Sequence, residues 1–305
     1  MVSITNSTHA FYTRSRLHMG DLRQIAEDLQ NQLSTGERLD RSSQDPVAAS
    51  RLRLLARADR LGSINSDNAK HASDDLQLAA SALEAIGSDL IRARELALWA
   101  SSDTVGDAER ETIGAELEQL RLRLMASANA IDGSGNALFG GEGAGHAYEE
   151  DALGAITYIG TASSGEIDLG QGQSIIRGLT GPEVLEFTSG GAATDAFAHI
   201  ASLAADLQGA SGNPAQSARD SLAGFDDALD QLTRAQTVAG ARIAWIDVIQ
   251  DRQLDQSQSR AQQIADNGGV DFASTVAELQ QILTVLEASQ AGFSRLSNLT
   301  LFNNI

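Results

Sequence analysis

The sequence predicts a mainly α protein: an elongated antiparallel helical bundle, coiled-coil-like, formed by both chain ends, with a small β-rich domain inserted between them. Three observations carry this reading. Of 305 residues, 42% are hydrophobic but only 4% are aromatic. Aromatic side chains supply much of the bulk of thick cores, so a chain rich in Ala, Leu and Gln suits narrow helix–helix seams better. Two long segments also carry apolar residues in alternating steps of three and four, the mark of a coiled-coil seam. Finally, fourteen of the 28 glycines fall between residues 133 and 190, where short apolar runs alternate with turns.

Residues 1–33 read as a first helix, with Leu22, Ile25, Leu29 and Leu33 on one face. A polar break follows in LSTGERLDRSSQDPVAAS, and the helix restarts at its end. Asp45 suits the N-cap there, because its carboxylate accepts from free backbone N–H groups, and Pro46 suits the first helical position. From Pro46 to about Ala100 the seam becomes regular at Leu76, Ala79, Leu83, Ile86, Leu90, Ala93, Ala97 and Ala100. A third helix runs through Ile113, Leu117, Leu120, Leu124 and Ile131 and ends at the glycines of IDGSGN. The runs AITYIG, EIDLG, SIIRG and EVLEF then read as strands, with ASSG as a hairpin tip. Helix returns near Asp195, and a second long helix covers residues 215–267, with Leu222, Phe225, Leu229, Leu232, Gln236, Ala239, Ile243 and Ile246 along its seam. Asn267, Gly268 and Gly269 stop it. Asp271 caps the last helix, which carries Val276, Leu279, Leu283, Leu286 and Phe293 on one face.

This near-palindrome folds most simply as a hairpin whose two ends run back alongside each other. Charge separates the ends from the middle. Residues 1–33 carry three arginines against three acids, and residues 271–305 one arginine against three acids. Residues 134–195 carry nine acids against one arginine. Near-neutral amphipathic ends with an acidic middle suggest ends buried against other subunits and a middle facing solvent.

Composition excludes several functions. A formal net charge of −19 argues against nucleic acid and anionic membrane as partners. No cysteine is present, which removes disulfides, thiolate metal sites and thiol nucleophiles. No stretch reads as a cleaved signal peptide or a transmembrane helix. His9, His18, His71, His146 and His199 are scattered, and no HExxH, Walker A, GxSxG or EF-hand spacing occurs. Adjacent acids such as Asp74 with Asp75, or Asp226 with Asp227, do not face each other on a helix. The sequence therefore offers no catalytic, cofactor-binding or metal-binding residues, and no enzyme is expected.

The polar break resembles the segment that follows the first helix in bacterial flagellins and their junction relatives. Leu33, Ser34, Thr35, Gly36, Arg38, Asp45 and Pro46 carry the likeness, and Gln44 departs from the usual first aspartate of that motif. NALFGG at residues 136–141, the run Tyr158–Gly160, Gly240-Ala241-Arg242 and the tail residues Leu296, Leu299, Leu301 and Phe302 in RLSNLTLF resemble the hook–filament junction branch of this flagellin superfamily. The departures in the tail are Thr300 and the terminal Asn303-Asn304-Ile305.

The resemblance implies residues 1–33 and 271–305 as inner terminal helices. It implies residues 34–133 and 193–270 as a helical shell including the spoke at 34–46, and residues 134–192 as a small outer domain. It further implies a structural component of the flagellum, secreted unfolded through the type III export apparatus with a dedicated export chaperone. Such a protein lies outside the cell at the hook–filament junction, as a ring layer of copies of itself between hook-associated protein 1 and flagellin. Leu22, Ile25, Leu29, Leu279, Leu283, Leu286 and Phe293 would form its subunit-assembly seams. The alternative is flagellin, the filament subunit itself.

Overall fold

The computed structural model describes the backbone of residues 2–302 and the side-chain surroundings of residues 9–295. The fold is mainly α, with long helices at both ends of the sequence and a small sheet-containing region in the middle. Helices α1 (Val2–Thr35), α2 (Pro46–Ala100) and α3 (Asp107–Ala128) come first. Three hairpins follow: β1 (Tyr148–Glu150) with β2 (Ile156–Tyr158), β3 (Glu166–Gly170) with β4 (Gln173–Ile176), and β5 (Glu186–Ser189) with β6 (Ala192–Asp195). The short helix α4 (Gly181–Leu185) precedes the last hairpin. The chain closes with α5 (Ala196–Ala205), α6 (Pro214–Gly268) and α7 (Phe272–Phe302). It divides into two compact units, residues 1–61 with 255–305, and residues 62–254. Helices α2 and α6 each contribute to both.

In the unit of residues 62–254, every seam residue from Leu76 to Ala100 is buried. Those from Ala79 to Ala100 join Ile113, Leu117 and Leu124 of α3, Phe197 and Ile200 of α5, and Phe225 and Leu232 of α6 in one hydrophobic cluster. The β region has no separate core. Phe139, Tyr148, Ile156, Leu185 and Phe187 belong to that same cluster. Gly114 allows α3 to approach α5 closely, because a Cβ there would lie 2.9 Å from the Ala204 carbonyl oxygen of α5.

The β3–β4 hairpin seats Leu169 and Ile175 on Ala69, Ala72 and Leu76 of α2 and on Ile246 and Ile249 of α6. Side-chain amides fasten its backbone. Asn68 donates to the Asp168 carbonyl at 3.0 Å and Gln253 to the Leu169 carbonyl at 2.9 Å. The turn beside them needs Gly170, whose φ is +88° and whose Cβ would meet Asn65.

Buried arginines close the gaps between elements. Arg110 donates to the carbonyls of Ala100 and Ser102 at 3.1 and 2.9 Å, satisfying acceptors at the end of α2. Arg121 holds Glu118, Glu150 and the Gly154 carbonyl at 2.8–3.0 Å, fixing the β1–β2 turn to α3. Burial works against the Arg121 charge, but its two carboxylate partners hold its pKa above the usual value. Asp132 accepts from the backbone of Ser134 and Asn136 and pairs with Arg177 at 3.1 Å. Burial would raise its pKa, and these bonds together bring it below the ordinary range.

The structure corrects three sequence expectations. The third helix ends at Ala128, before Ile131, because the Asn129 side chain turns to serve the backbone of Ala147 and Tyr148 at 2.8–2.9 Å. Ile131 is exposed and instead pairs with Ala137 in an isolated bridge. EVLEF is no single strand: Glu183, Val184 and Leu185 end α4, and only Glu186-Phe187 begin β5. The Thr180 N–H donates to the Glu183 carboxylate at 2.7 Å, fixing that helix start. ASSG links β2 to β3, which belong to different hairpins, so it is not a hairpin tip. The actual tips include Gln171-Gly172 and Gly190-Gly191.

His199 lies between Phe187 and Phe225, with ring centroids 6.0 and 4.7 Å away. Its Nε2–H donates to the Ser221 carbonyl at 2.9 Å. Gly224 makes room for it, since a Cβ there would press into the imidazole. Burial lowers its pKa, against the weaker opposing pull of the Ser221 carbonyl. As pH falls through about 6.5, the unfolded ring takes up a proton that the folded ring refuses, so stability should fall. His199→Gln keeps a donor to Ser221 and should flatten the decline of the thermal midpoint between about pH 7 and about pH 6. An identical decline in both proteins would remove His199 as its source.

Candidate assembly surfaces

The break between α1 and α2 is a closed polar junction. Helix α1 runs through Thr35, so Ser34 and Thr35 are helical and the break occupies residues 36–45. Gly36 ends the helix with φ +73°, its N–H donating to the Gln32 carbonyl at 2.9 Å. The chain then pairs with the α6–α7 link through an antiparallel bridge between Glu37 and Gly269. The Arg38 N–H donates to the Gly268 carbonyl at 2.7 Å and the Val270 N–H to the Gly36 carbonyl at 3.0 Å. Gly269 is required there, because a Cβ would come within 2.5 Å of the Ala265 carbonyl oxygen.

The Arg38 guanidinium ties three parts together. It donates to Asp45 at 3.3 Å and to the Asn267 carbonyl at 3.0 Å, while the Arg38 carbonyl accepts from Gln32. Asp45 in turn accepts from the Ala48 N–H at 3.0 Å, as an N-cap does. That bond, then Arg38, holds the Asp45 carboxyl below its usual range. Gln44 shapes the turn before the cap, since its side-chain oxygen accepts from the N–H groups of Asp40 and Arg41. Leu33 is half-buried and Pro46 exposed.

Helices α1 and α7 pack antiparallel, bracketed by the Glu37–Gly269 bridge at one end and an edge-on Tyr12–Phe293 pair at 5.3 Å at the other. The face of α1 turned inward is Tyr12, Ser15, Met19, Leu22, Ala26, Leu29 and Leu33; that of α7 is Thr275, Leu279, Ile282, Leu286, Ser289 and Phe293. Both step by three and four, the repeat of a coiled coil. Leu22 and Leu29 are therefore buried within the chain, whereas Ile25 is 41% and Leu283 38% exposed. Leu279, Leu286 and Phe293 are half-buried. The side chains of Leu296, Leu299, Leu301 and Phe302 lie outside the described residues.

Two further surfaces stand out. An apolar groove of about 680 Å³ is lined by Leu39, Leu52, Ala56, Ile264 and Gly268, among others. Charge divides unevenly as well. Residues 1–61 with 255–305 hold 11 arginines against 12 acids, a net of −1, and residues 62–254 hold 11 basic against 29 acidic residues, a net of −18. Among the described residues, no group of three or more His, Asp or Glu side chains is placed to hold a metal ion, and no helix is long and apolar enough to cross a membrane.

Comparison with known proteins bears on this geometry. The sequence model of the bacterial flagellin N-terminal helical region matches residues 7–144, a span that holds the whole Gly36–Pro46 junction. Flagellar hook-associated protein 3 of Escherichia coli (strain K12) is 26% identical over 287 residues, covering 89% of this chain and 90% of the relative. The chain is similar to the flagellin N-terminal helical region over its first half and to hook-associated protein 3 over most of its length. Two solved structures share the fold of this chain. One, described as a flagellar hook-associated protein from Vibrio parahaemolyticus, has a TM-score of 0.67 at 23% identity and covers 74% of this chain and 100% of its own. The other, the flagellar junction protein from Legionella pneumophila, has a TM-score of 0.58 at 14% identity over 71% of this chain and 99% of its own.

The sequence disclosed Asp45 and Pro46 of the junction through capping chemistry, and Gly36 and Arg38 through resemblance. It did not disclose Gln32, and it gave Asn267 and Gly269 only as a helix stop, because their junction contacts act across the fold. A glycine pair directly after a long helix was the available signal for a tight crossing. Asp45→Ala should fray the first turn of α2. Hydrogen exchange at Val47–Ser50 should speed up while residues 62–254 exchange as before. Unchanged protection at those amides would show that Asp45 does not hold the helix start.

Proposed function

We propose that this chain is a structural component of the bacterial flagellum, forming the layer that joins the hook to the flagellin filament. One observation carries the reading. The likeness to hook-associated protein 3 runs through nine-tenths of both chains, beyond the N-terminal helical region that the flagellin family has in common. On this reading the chain works outside the cell, after export. A cytoplasmic chaperone and the type III apparatus would deliver it, hook-associated protein 1 would lie on one side of its layer, and flagellin on the other. It performs no catalysis; its product is an interface.

Physically, the role needs a chain that holds its shape alone and still offers surface to its neighbours. The α1–α7 pair does both. Leu22, Ala26 and Leu29 are covered within the chain. Phe11, Leu17, Ile25, Val276 and Leu283 stay exposed on the same two helices. Those residues are the ones a neighbouring copy, or the adjoining layer, would bury. Residues 1–33 and 271–305 thus act as the inner assembly region, residues 36–45 as the spoke, and residues 134–192 as the outer, solvent-facing part.

Leu283→Asp should abolish filament attachment, since a charge at an interface core opposes burial. The same variant should leave the thermal midpoint of the isolated protein nearly unchanged, because Leu283 is exposed there. Normal filaments on that variant would remove Leu283 from the interface. Immunogold microscopy of intact flagella with antibody to residues 134–192 tests the function itself. A single narrow band where hook meets filament is expected. Label along the whole filament would make the chain a flagellin, and an unlabelled flagellum with an accessible epitope would overturn the reading.

A further inference from the structure

Two helix faces outside the α1–α7 pair carry opposite charge and no partner. On α2, Arg53, Arg57 and Arg60 recur at i, i+4 and i+7, so they share one face. Leu54 and Leu61 lie along the same side, and all five are exposed. Arg53 sits at the rim of the apolar groove between α2 and α6, and Asp59, the neighbour of Arg60, pairs with Arg260 of α6 at 3.3 Å. Residues 51–61 hold four arginines against Asp59, in a chain whose net charge is −19.

On α6, Asp247, Asp251 and Asp255 recur at i, i+4 and i+8 beside exposed Val248 and Leu254. The inward side of that stretch is Ile246 and Ile249, both buried. Among the described residues, none of these six charged side chains has an ion-pair or hydrogen-bond partner, in contrast to Arg92, Arg94 and Arg219, which pair with Glu116, Asp226 and Asp103. The two charge rows also match in length. At about 1.5 Å rise per residue they extend roughly 10 and 12 Å along their helices.

We propose that the Arg53–Arg57–Arg60 face of α2 seats on the Asp247–Asp251–Asp255 face of α6 of the next copy. The proposal rests on the assembly role given above and names the contact that builds the layer. Each copy presents one basic and one acidic face, so the contact is heterologous and repeats from copy to copy, as a ring or tube requires. Leucines and a valine supply apolar area between the charge rows. Charge fixes register and excludes the wrong pairing, because basic faces repel basic faces and acidic faces repel acidic ones. Exposed ion pairs add little in isolation; three in a row, drained of water by the flanking leucines, discriminate.

The test is charge reversal in the full-length chromosomal gene of the source bacterium. Arg53→Glu with Arg57→Glu and Arg60→Glu should cut filament-bearing cells by about tenfold or more, since like charges facing each other cost well over a factor of ten in affinity. Asp247→Arg with Asp251→Arg and Asp255→Arg should do the same. The sixfold reversal, which restores complementarity, should bring filaments back. Full filament numbers on both triple variants would overturn the proposal, as would loss of filaments in the sixfold variant with native circular dichroism. A defect confined to the α2 variant would assign that face to a different, acidic partner and likewise overturn it.

Because the chain has no cysteine, a second measurement is independent of charge and folding. Arg57→Cys and Asp251→Cys copies are expressed together, and intact flagella are treated with a bifunctional maleimide. A dimer band from the mixture and none from either variant alone is expected; a band from Arg57→Cys alone would overturn the proposal. Deletion of the gene separates the two levels. Filaments that stay attached without the gene would defeat the junction role itself. Filaments lost on deletion but kept in both triple variants would defeat only this contact.

Discussion

Two helices of 55 residues each, α2 and α6, run through both compact units, and everything else depends on how they are covered. A helix is held by packing on its apolar face more than by propensity, and here that face is thin. The α2 seam is half alanine, with Ala79, Ala93, Ala97 and Ala100 between its leucines and isoleucine. Small residues allow close approach but bury little area each, so the seam must be covered along its length. Helices α3 and α5 and the three hairpins supply that cover, and for this reason the β region shares the helical core instead of forming its own. Glycines at Gly114 and Gly224 mark where the cover comes nearest.

Such an architecture ends many elements close to one another, and every end leaves backbone carbonyls without a partner. Arginine solves this repeatedly. Arg38 reaches the end of α6, Arg110 and Arg219 the end of α2, Arg121 the β1–β2 turn, and Arg242 the Gly178 carbonyl. The planar guanidinium offers five donors in a fixed fork, so one side chain can serve a carbonyl and a carboxylate together. Lysine, with one instance in the chain, could not do this with equal geometry. The arginine bias has a structural use that composition alone did not reveal.

What the sequence disclosed followed the reach of its signals. Periodicity predicted the long helices, and all eight α2 seam residues from Leu76 to Ala100 are buried, because a sustained repeat admits one inward face. Asp45 and Asp271 were legible as caps, being local chemistry. Periodicity failed by one residue where the stripe was short. Ile25 looks like a seam residue beside Leu22 and Leu29, yet Ala26 keeps the step of four and three and takes the place inside. In the same way Ile282 faces α1, while Leu283 of the expected assembly seam stays exposed. The heptad, and not size, decides which side chain is covered within the chain. The end of α3 and the role of ASSG were not legible, since Asn129 acts on residues nearly twenty positions away. The start of α4 was legible in principle, from Thr180 followed by Glu183.

The uneven division of charge has a consequence for the medium in which such a protein works. Residues 62–254 carry a net of −18 and the remainder −1. At physiological ionic strength, fields from exposed charge die away over about 8 Å, and in 0.01 M salt over about 30 Å. Where many copies crowd together, dilution therefore lets their acidic portions push on one another across distances comparable to a domain. Cohesion must then come from contacts that do not weaken with dilution. The apolar, near-neutral ends of the chain are built from that kind of contact, so fresh water strains the acidic part of the molecule while the ends keep their hold.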